Sequence, residues 1–214
     1  MNHQNYPKEA FLQTVENICQ YIERIENVND KIDTLNYVRS MLHEISPMKH
    51  HPVDFVAWEK SEDVEGNDYN PNSVAPPEMN LLITSIEEDG YTMPIVGSPE
   101  KGTIRIVDGF HRYRIMLEYP DSYEREKGLL PVSVINKPLD QRMASTIRHN
   151  RARGSHDVDL MSNIVKELHE LGRSDAWISK HLGMDRDEIL RLKQITGLAA
   201  LFKDVKFGQA WRPA

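Results

Sequence analysis

The chain reads as an α/β (α+β) protein: a small mixed sheet with helices, preceded by a helical hairpin and followed by helices with a helix-turn-helix cadence. Three observations predict this. Apolar residues recur at helical spacing over residues 8 to 46 and again over 158 to 196. Between those stretches, short β-branched runs are punctuated by Gly, Pro and Asn. One of the runs passes straight into Asp108-Gly109 and then into a helical pattern. Three parts follow: a helical arm over 1–47, a sheet-bearing domain over 48–155 and a helical domain over 156–214.

Each element has its own justification. Phe11, Val15, Ile18, Ile22 and Ile25 mark a first helix, and Ile32, Leu35, Val38, Leu42 and Ile45 a second. Asn27, Asn29 and Asp30 supply the turn between them. The pair reads as a packing or dimerisation arm without chemistry of its own. Val53 to Trp58 alternates like a strand, and the Asn-rich stretch from Glu62 to Asn72 reads as a loop. Met79, Leu82, Ile83 and Ile86 share a helical face over Pro77–Glu88, which Gly90 stops. Pro94–Val96 and Thr103–Val107 read as strands joined by a Gly97–Gly102 turn. Phe110–Glu118 reads as a helix, Leu130–Ile135 as a strand and Asp140–Asn150 as a helix. Three more helices are predicted over Val158–Leu171, Ser174–Leu182 and Asp185–Thr196.

Bulk properties narrow the class. With 39% hydrophobic residues in 214, there is apolar mass for a core. A single cysteine, Cys19, excludes a disulfide framework and a Cys-rich zinc site, and fits a reducing, cytoplasmic compartment. No apolar stretch reaches the roughly 18 residues that a membrane crossing needs. Nor does the N-terminus resemble a signal peptide. A net charge of -7 argues against generic nucleic-acid binding, which depends on neutralising phosphates. The charge is uneven, however: Arg142, Arg148, Arg151 and Arg153 lie in a stretch without acids, enough for a local anion site. His149, His156, His169 and His181 fall on different elements and read as solvated or structural, not as a metal set.

The chemistry is concentrated at Asp108-Gly109-Phe110-His111-Arg112. Glycine reaches backbone conformations that other residues avoid. The amides that follow are the unpaired donors of a helix N-terminus and carry the positive end of its dipole, so a phosphate can rest there. His111, Arg112 and Arg114 add side-chain donors; a guanidinium fork bonds two phosphate oxygens at once. Histidine can serve as acid or base near neutrality. Asp108 reads either as a magnesium ligand or base, or as the cap of the following helix.

Ile106 to Arg114 resembles the Gly-x-Arg-Arg-x-x-Ala box of ParB-type proteins and the Asp-Gly-x-His-Arg variant of ParB-like serine kinases. Asn67-Asp68-Tyr69-Asn70-Pro71-Asn72 resembles the first box of that superfamily. His149-Asn150-Arg151-Ala152-Arg153-Gly154 resembles its Asn-Arg-type third box. The boxes span residues 53 to 155 in the right order. The full arrangement is most similar to small ParB-like regulators of the immunoglobulin-binding regulator B type within the ParB/sulfiredoxin-like superfamily.

This resemblance implies a nucleotide site. Gly109, Phe110, His111, Arg112 and Arg114 would meet the phosphates. Asn150, Arg151 and Arg153 would approach from the third box, and Asn70 from the first. It implies ATP or ADP in preference to CTP, because His111 stands where partition proteins carry arginine. Magnesium would sit at Asp108. Further implied are a homodimer and a partner similar to a phosphoadenosine-phosphosulfate reductase. Sulfiredoxin chemistry is excluded, since Phe110 stands where its reactive cysteine would be. The glutamate of the serine kinases has no clear counterpart; the matching stretch offers Asp68 and Asn70, with Glu65 and Glu78 flanking.

Ser174 to Thr196 has Gly183 as the turn of a helix-turn-helix cadence. Its second helix opens on Asp185-Arg186-Asp187-Glu188, and Arg186, Arg191 and Lys193 are its DNA-binding candidates. The expected function is therefore a nucleotide-binding regulator that couples the Asp-Gly-Phe-His-Arg turn to DNA or a protein partner. The alternative is a nucleotide hydrolase or small-molecule kinase using Asp108, His111 and Asp68 at the same site.

Overall fold

A computed structural model describes residues 8–67, 76–151 and 158–197. The hairpin expected at the start forms as α1 (Lys8–Glu23) and α2 (Val28–Ile45). Asn27 caps α2 by accepting from the amides of Asn29 and Asp30 at 2.9 and 3.2 Å. Ile22 is the one buried residue of α1, whereas Phe11, Val15 and Ile18 stay exposed.

The central sheet holds β1 (Val56–Lys60), β2 (Val64–Glu65), β3 (Ile95–Glu100), β4 (Thr103–Asp108) and β5 (Leu129–Val134), in the order β1-β5-β3-β4-β2. It is mixed: β1 pairs antiparallel with β5 and β3 with β4, while β3–β5 and β2–β4 run parallel. β1 is an edge strand. The side chain of Asn36 covers it, donating to the Trp58 carbonyl at 2.8 Å and accepting from the Trp58 amide at 3.0 Å.

Several boundaries differ from the sequence expectation. Pro52 imposes a 3-10 turn over Pro52–Asp54, so β1 starts at Val56 and not at Val53. β3 continues through the expected turn to Glu100, leaving only Lys101 and Gly102 at the bend. Pro99 is tolerated because β3 gives up its partner β5 after Gly97. β2 forms inside the expected Asn-rich loop, with Val64 almost wholly buried.

Helices cover the sheet. α3 (Pro76–Asp89) and α4 (Phe110–Glu118) meet through Met79, Ile86 and Ile115, and Met116 of α4 packs with Ile95, Ile106, Leu130 and Val132. A short α5 (Pro120–Glu126), which the sequence reading did not anticipate, begins at Pro120. α6 (Leu139–Arg151) joins two cores. Its Thr146 hydroxyl donates to the Val107 carbonyl of β4 at 2.8 Å, while Met143, Ala144 and Ile147 pack with the C-terminal helices.

Those helices are α7 (Val158–Glu170), α8 (Asp175–Leu182) and α9 (Arg186–Ile195), matching the expected cadence. Ser174 caps α8 through the Trp177 amide, Gly183 ends it at φ 68°, and Asp185 caps α9 through the Glu188 amide. Ile164, Leu168, Ile178, Leu182, Ile189 and Leu192 form the centre of this unit. No helix among the described residues is long and apolar enough to cross a membrane.

Candidate functional site

β4 delivers Asp108 into the turn, and α4 starts two residues later. Gly109 holds φ 95°, ψ 18° as the residue before the helix. A Cβ there would lie 2.8 Å from the Arg112 guanidinium and 3.2 Å from the Ile95 Cα, so both conformation and space require glycine. Gly109 offers no side-chain cap. Asp108 therefore does not cap α4, as one sequence reading had it; it precedes the cap position, and its carboxylate turns to the His149 imidazole at 3.5 Å. A bulge in β3 at Val96/Gly97 sets Asp108 opposite Val96 at the sheet rim.

The basic residues of the turn separate in space. The Arg112 guanidinium donates to the Pro94 carbonyl at 3.2 Å, and its own carbonyl accepts from the Tyr91 hydroxyl at 3.2 Å. Arg112 thus braces the turn against the start of β3. Burial holds the Tyr91 phenol up at about 12, so it remains a donor at neutral pH. Arg114 lies farther along α4 in a two-pronged ion pair with Glu118, at 2.8 and 2.9 Å. His111 is half-buried beside Phe110. Burial, and then the charges of Arg114 and Arg112, lower its pKa below 6.5 against the opposing pull of Asp108. At pH 7 it is a neutral imidazole.

Beside this turn opens a cleft of about 600 Å³. Pro94, Val96, Asp108 and Ser133 line it from the sheet side, Ser145, Arg148 and His149 from α6, and His51 and Lys137 from loops. Lys137 Nζ and an Arg148 guanidinium nitrogen both donate to Ser145 Oγ, at 3.2 and 3.0 Å. Arg148 also donates to the His181 carbonyl of α8 at 3.0 Å. Arg148 belongs to the acid-free stretch in which the sequence offers a local anion site, whereas Lys137, Ser145 and His149 are not marked there as site residues. Lys137 and Ser145 carry no motif, and only the packing of α6 on β4 brings them to one place. Arg142, from the same stretch, is absorbed elsewhere: only 5% exposed, it grips the Glu100 carboxylate at 3.0 and 3.3 Å.

The side chains of Asn150 and Arg151, and the whole of Asp68, Asn70 and Arg153, lie outside the described residues. Among the described residues, no group of three or more His, Cys, Asp or Glu side chains could hold a metal ion. On α9, Arg186 and Arg191 are exposed. Lys193 points inward: it is 8% exposed and ion-paired with Asp175, which also holds His169 at 2.8 Å. Its charge is therefore spent inside the unit and not on the outer face where a DNA contact would lie.

Comparison with known proteins agrees with the reading of the C-terminal part: residues 156–204 match the family described as the IbrB-like C-terminal HTH domain. The chain is 50% identical to the uncharacterized protein YbdM of Escherichia coli (strain K12) over 184 residues, which cover 86% of this chain and 88% of YbdM. Among solved structures, the chromosome-partitioning protein ParB of Caulobacter crescentus is similar in two forms. The complex with CTP-gamma-S gives 18% identity and a TM-score of 0.39 over 70% of this chain and 87% of that one. The complex with the centromeric parS site gives 17% and 0.43, over 68% and 76%. Sharing half of its aligned residues along most of both chains, this protein belongs to the family of YbdM, and its residues 156–204 match an IbrB-like C-terminal helix-turn-helix domain.

Proposed function

We propose that this protein is a nucleotide-binding regulator that takes a nucleotide between the Asp108–Arg112 turn and the neighbouring cleft, and engages DNA or a partner protein through its C-terminal helices. One juxtaposition carries this reading. A left-handed Gly109 presents a helix N-terminus beside a cleft lined by Lys137, Arg148, His149 and His51, in a chain of net charge -7. Phosphates would rest on the amides of Phe110 and His111, with the neutral His111 imidazole as a further donor. The apolar lining from Pro94 and Val96 suits a base or sugar face.

The residue at 111 favours ATP or ADP over CTP. Asp108 is the one carboxylate lining the cleft among the described residues, so magnesium would be held by that oxygen together with ligand phosphates and water. Arg148 supplies a route to the helix-turn-helix unit, because it lines the cleft and also holds the last residues of α8. The stripe of Phe11, Val15 and Ile18, left exposed on α1, favours a homodimer through the N-terminal hairpin.

A second reading draws on the Asp108–His149 pair on the cleft wall. A carboxylate orienting an imidazole is a base-and-orienter arrangement, which would suit nucleotide hydrolysis or phosphoryl transfer. It predicts magnesium-dependent phosphate release that is lost in His149→Ala and in His111→Ala.

Calorimetric titration with ATP, ADP and CTP tests the main reading. Saturable binding of at least one is expected, weakened by about tenfold or more in Gly109→Ala, the equivalent of one lost phosphate contact. Folded protein that binds none of the three would overturn it.

A further inference from the structure

We propose that Lys137, Ser145 and Arg148 form an oxyanion subsite, separate from the α4 turn, that takes a phosphate-type group of the bound ligand. The proposal rests on the reading that the cleft accepts a phosphorylated molecule, and adds the atoms that would hold it.

Three observations support it. First, two cations converge on one neutral acceptor. Lys137 and Arg148 both donate to Ser145 Oγ. Arg148 also donates to the His181 carbonyl, and among the described residues neither cation has a carboxylate within ion-pair distance. Several other cations of this acidic chain are paired with acids: Arg142 and Arg105 with Glu100, Arg173 with Asp140, Lys193 with Asp175. Lys137 is partly buried, whereas Arg148 reaches the exposed rim of the cleft. Two cations sharing a hydroxyl repel each other, and an anion between them would relieve that repulsion. Second, Ser145 already accepts two hydrogen bonds, so both lone pairs are committed and its own proton is available to donate. Ser145 is 1% exposed and lines the cleft, so this donor is fixed on a packed helix. Third, the arrangement is held from behind. The adjacent Thr146 hydroxyl anchors α6 to the Val107 carbonyl, and Ile147 is fully buried. Ser145 and Arg148 stand on this rigid support, as a selective anion site requires, and Lys137 reaches Ser145 from the loop before α6.

A purely structural reading would have Lys137 and Arg148 merely pin the Pro138 corner and α8 to α6. It explains the bond to His181, but not why the corner is held by two uncompensated charges facing a cleft of about 600 Å³.

The test uses the full chain and calorimetric titration with sodium pyrophosphate and with ATP. The variants are Lys137→Gln, Arg148→Gln and Ser145→Ala, with Lys101→Gln in the distant β3–β4 bend as control. Wild type and Lys101→Gln should bind pyrophosphate alike. Lys137→Gln and Arg148→Gln should each weaken it by about tenfold or more, since each removes a charged donor. Arg148→Gln also loses the bond to α8; where that variant does not fold, Lys137→Gln decides, because its ammonium bonds Ser145 alone among the described residues. Pyrophosphate binding unchanged in a folded Lys137→Gln protein overturns the subsite. If ATP binding is then lost in Gly109→Ala but not in the subsite variants, the nucleotide reading stands and the subsite falls. Pyrophosphate binding that depends on Lys137, without binding of ATP, ADP or CTP, supports the subsite and overturns the nucleotide reading. Binding of no probe overturns both.

Discussion

At the scale of single residues, the account depends on Gly109 and His111. Gly109→Ala places a Cβ against the Arg112 guanidinium and Ile95, at a φ that side chains disfavour. A stability loss of about 1–3 kcal/mol is expected in urea unfolding, together with weaker nucleotide binding. The His111 prediction concerns pH. Its pKa in the folded protein is lowered below 6.5, first by burial and then by Arg114 and Arg112. The unfolded chain therefore takes up this proton first as pH falls. The stability associated with neutral His111 is complete above about 6.5 and is lost as pH drops through the lower folded value. A bound phosphate would oppose that shift. An NMR titration of the imidazole should show a midpoint below 6.5 in the free protein and a higher one with ATP. A midpoint that ATP does not move argues against phosphate beside this side chain.

At the scale of elements, the β3–β4 hairpin and α6 are joined by charge. Glu100 in β3 binds Arg142 of α6 and Arg105 of β4, and Arg105 also reaches Glu65 of β2 at 2.8 Å. The Arg142 bond, followed by Arg105, holds the Glu100 carboxyl below its ordinary 4.5. Stability from this contact is present above about 4.5 and lost as pH falls through the lower folded value. Glu100→Gln leaves Arg142 nearly buried without its counter-charge. It should cost about 2–3 kcal/mol, at or below the roughly 3–5 kcal/mol of a fully buried pair because Glu100 is partly exposed, and should flatten the acid limb of the stability profile. An unfolding midpoint equal to wild type would mean that the network holds nothing together.

Elements with a clear period were legible in the sequence. α4 begins and ends where its pattern predicts because Gly109 and Tyr119 bound it sharply, and α7 to α9 were marked by Ser174, Gly183 and Asp185. Short elements fixed by tertiary pairing were not. β2 exists because Val64 and Glu65 lie along Ile104 and Arg105, which no local signal announces. The site divides in the same way. The turn was legible because its chemistry is contiguous, from Asp108 to Arg112. The Lys137–Ser145–Arg148 cluster was not, because it is assembled by a loop and one face of a helix. The fate of Lys193 was also hidden, since its acid partner Asp175 becomes a neighbour only once α8 and α9 pack, whereas the Arg114–Glu118 pair is the i,i+4 contact that the expected helix already implies.

At the scale of the whole molecule, the two ends are expected to face partners. On the outer side of α9, Arg186 and Arg191 are exposed. Changing both to Glu should weaken binding to a random-sequence duplex in fluorescence anisotropy and reduce the salt slope by roughly one per arginine. Equal binding by the double variant would remove that face from consideration. At the other end, an apolar α1 stripe centred on Phe11, Val15 and Ile18 predicts a dimer mass in light scattering that Val15→Glu returns to the monomer. Between the two ends lies α6, carrying cleft residues on one face and core residues of the helix-turn-helix unit on another. The central claim is that a phosphate ligand occupies the turn and the cleft on this helix. Amide-resolved NMR of the full chain titrated with ATP tests it most directly. The account predicts saturable shifts at Phe110 and His111, accompanied by Ser145 and His149. Saturable shifts elsewhere, with these four amides unmoved, would contradict it.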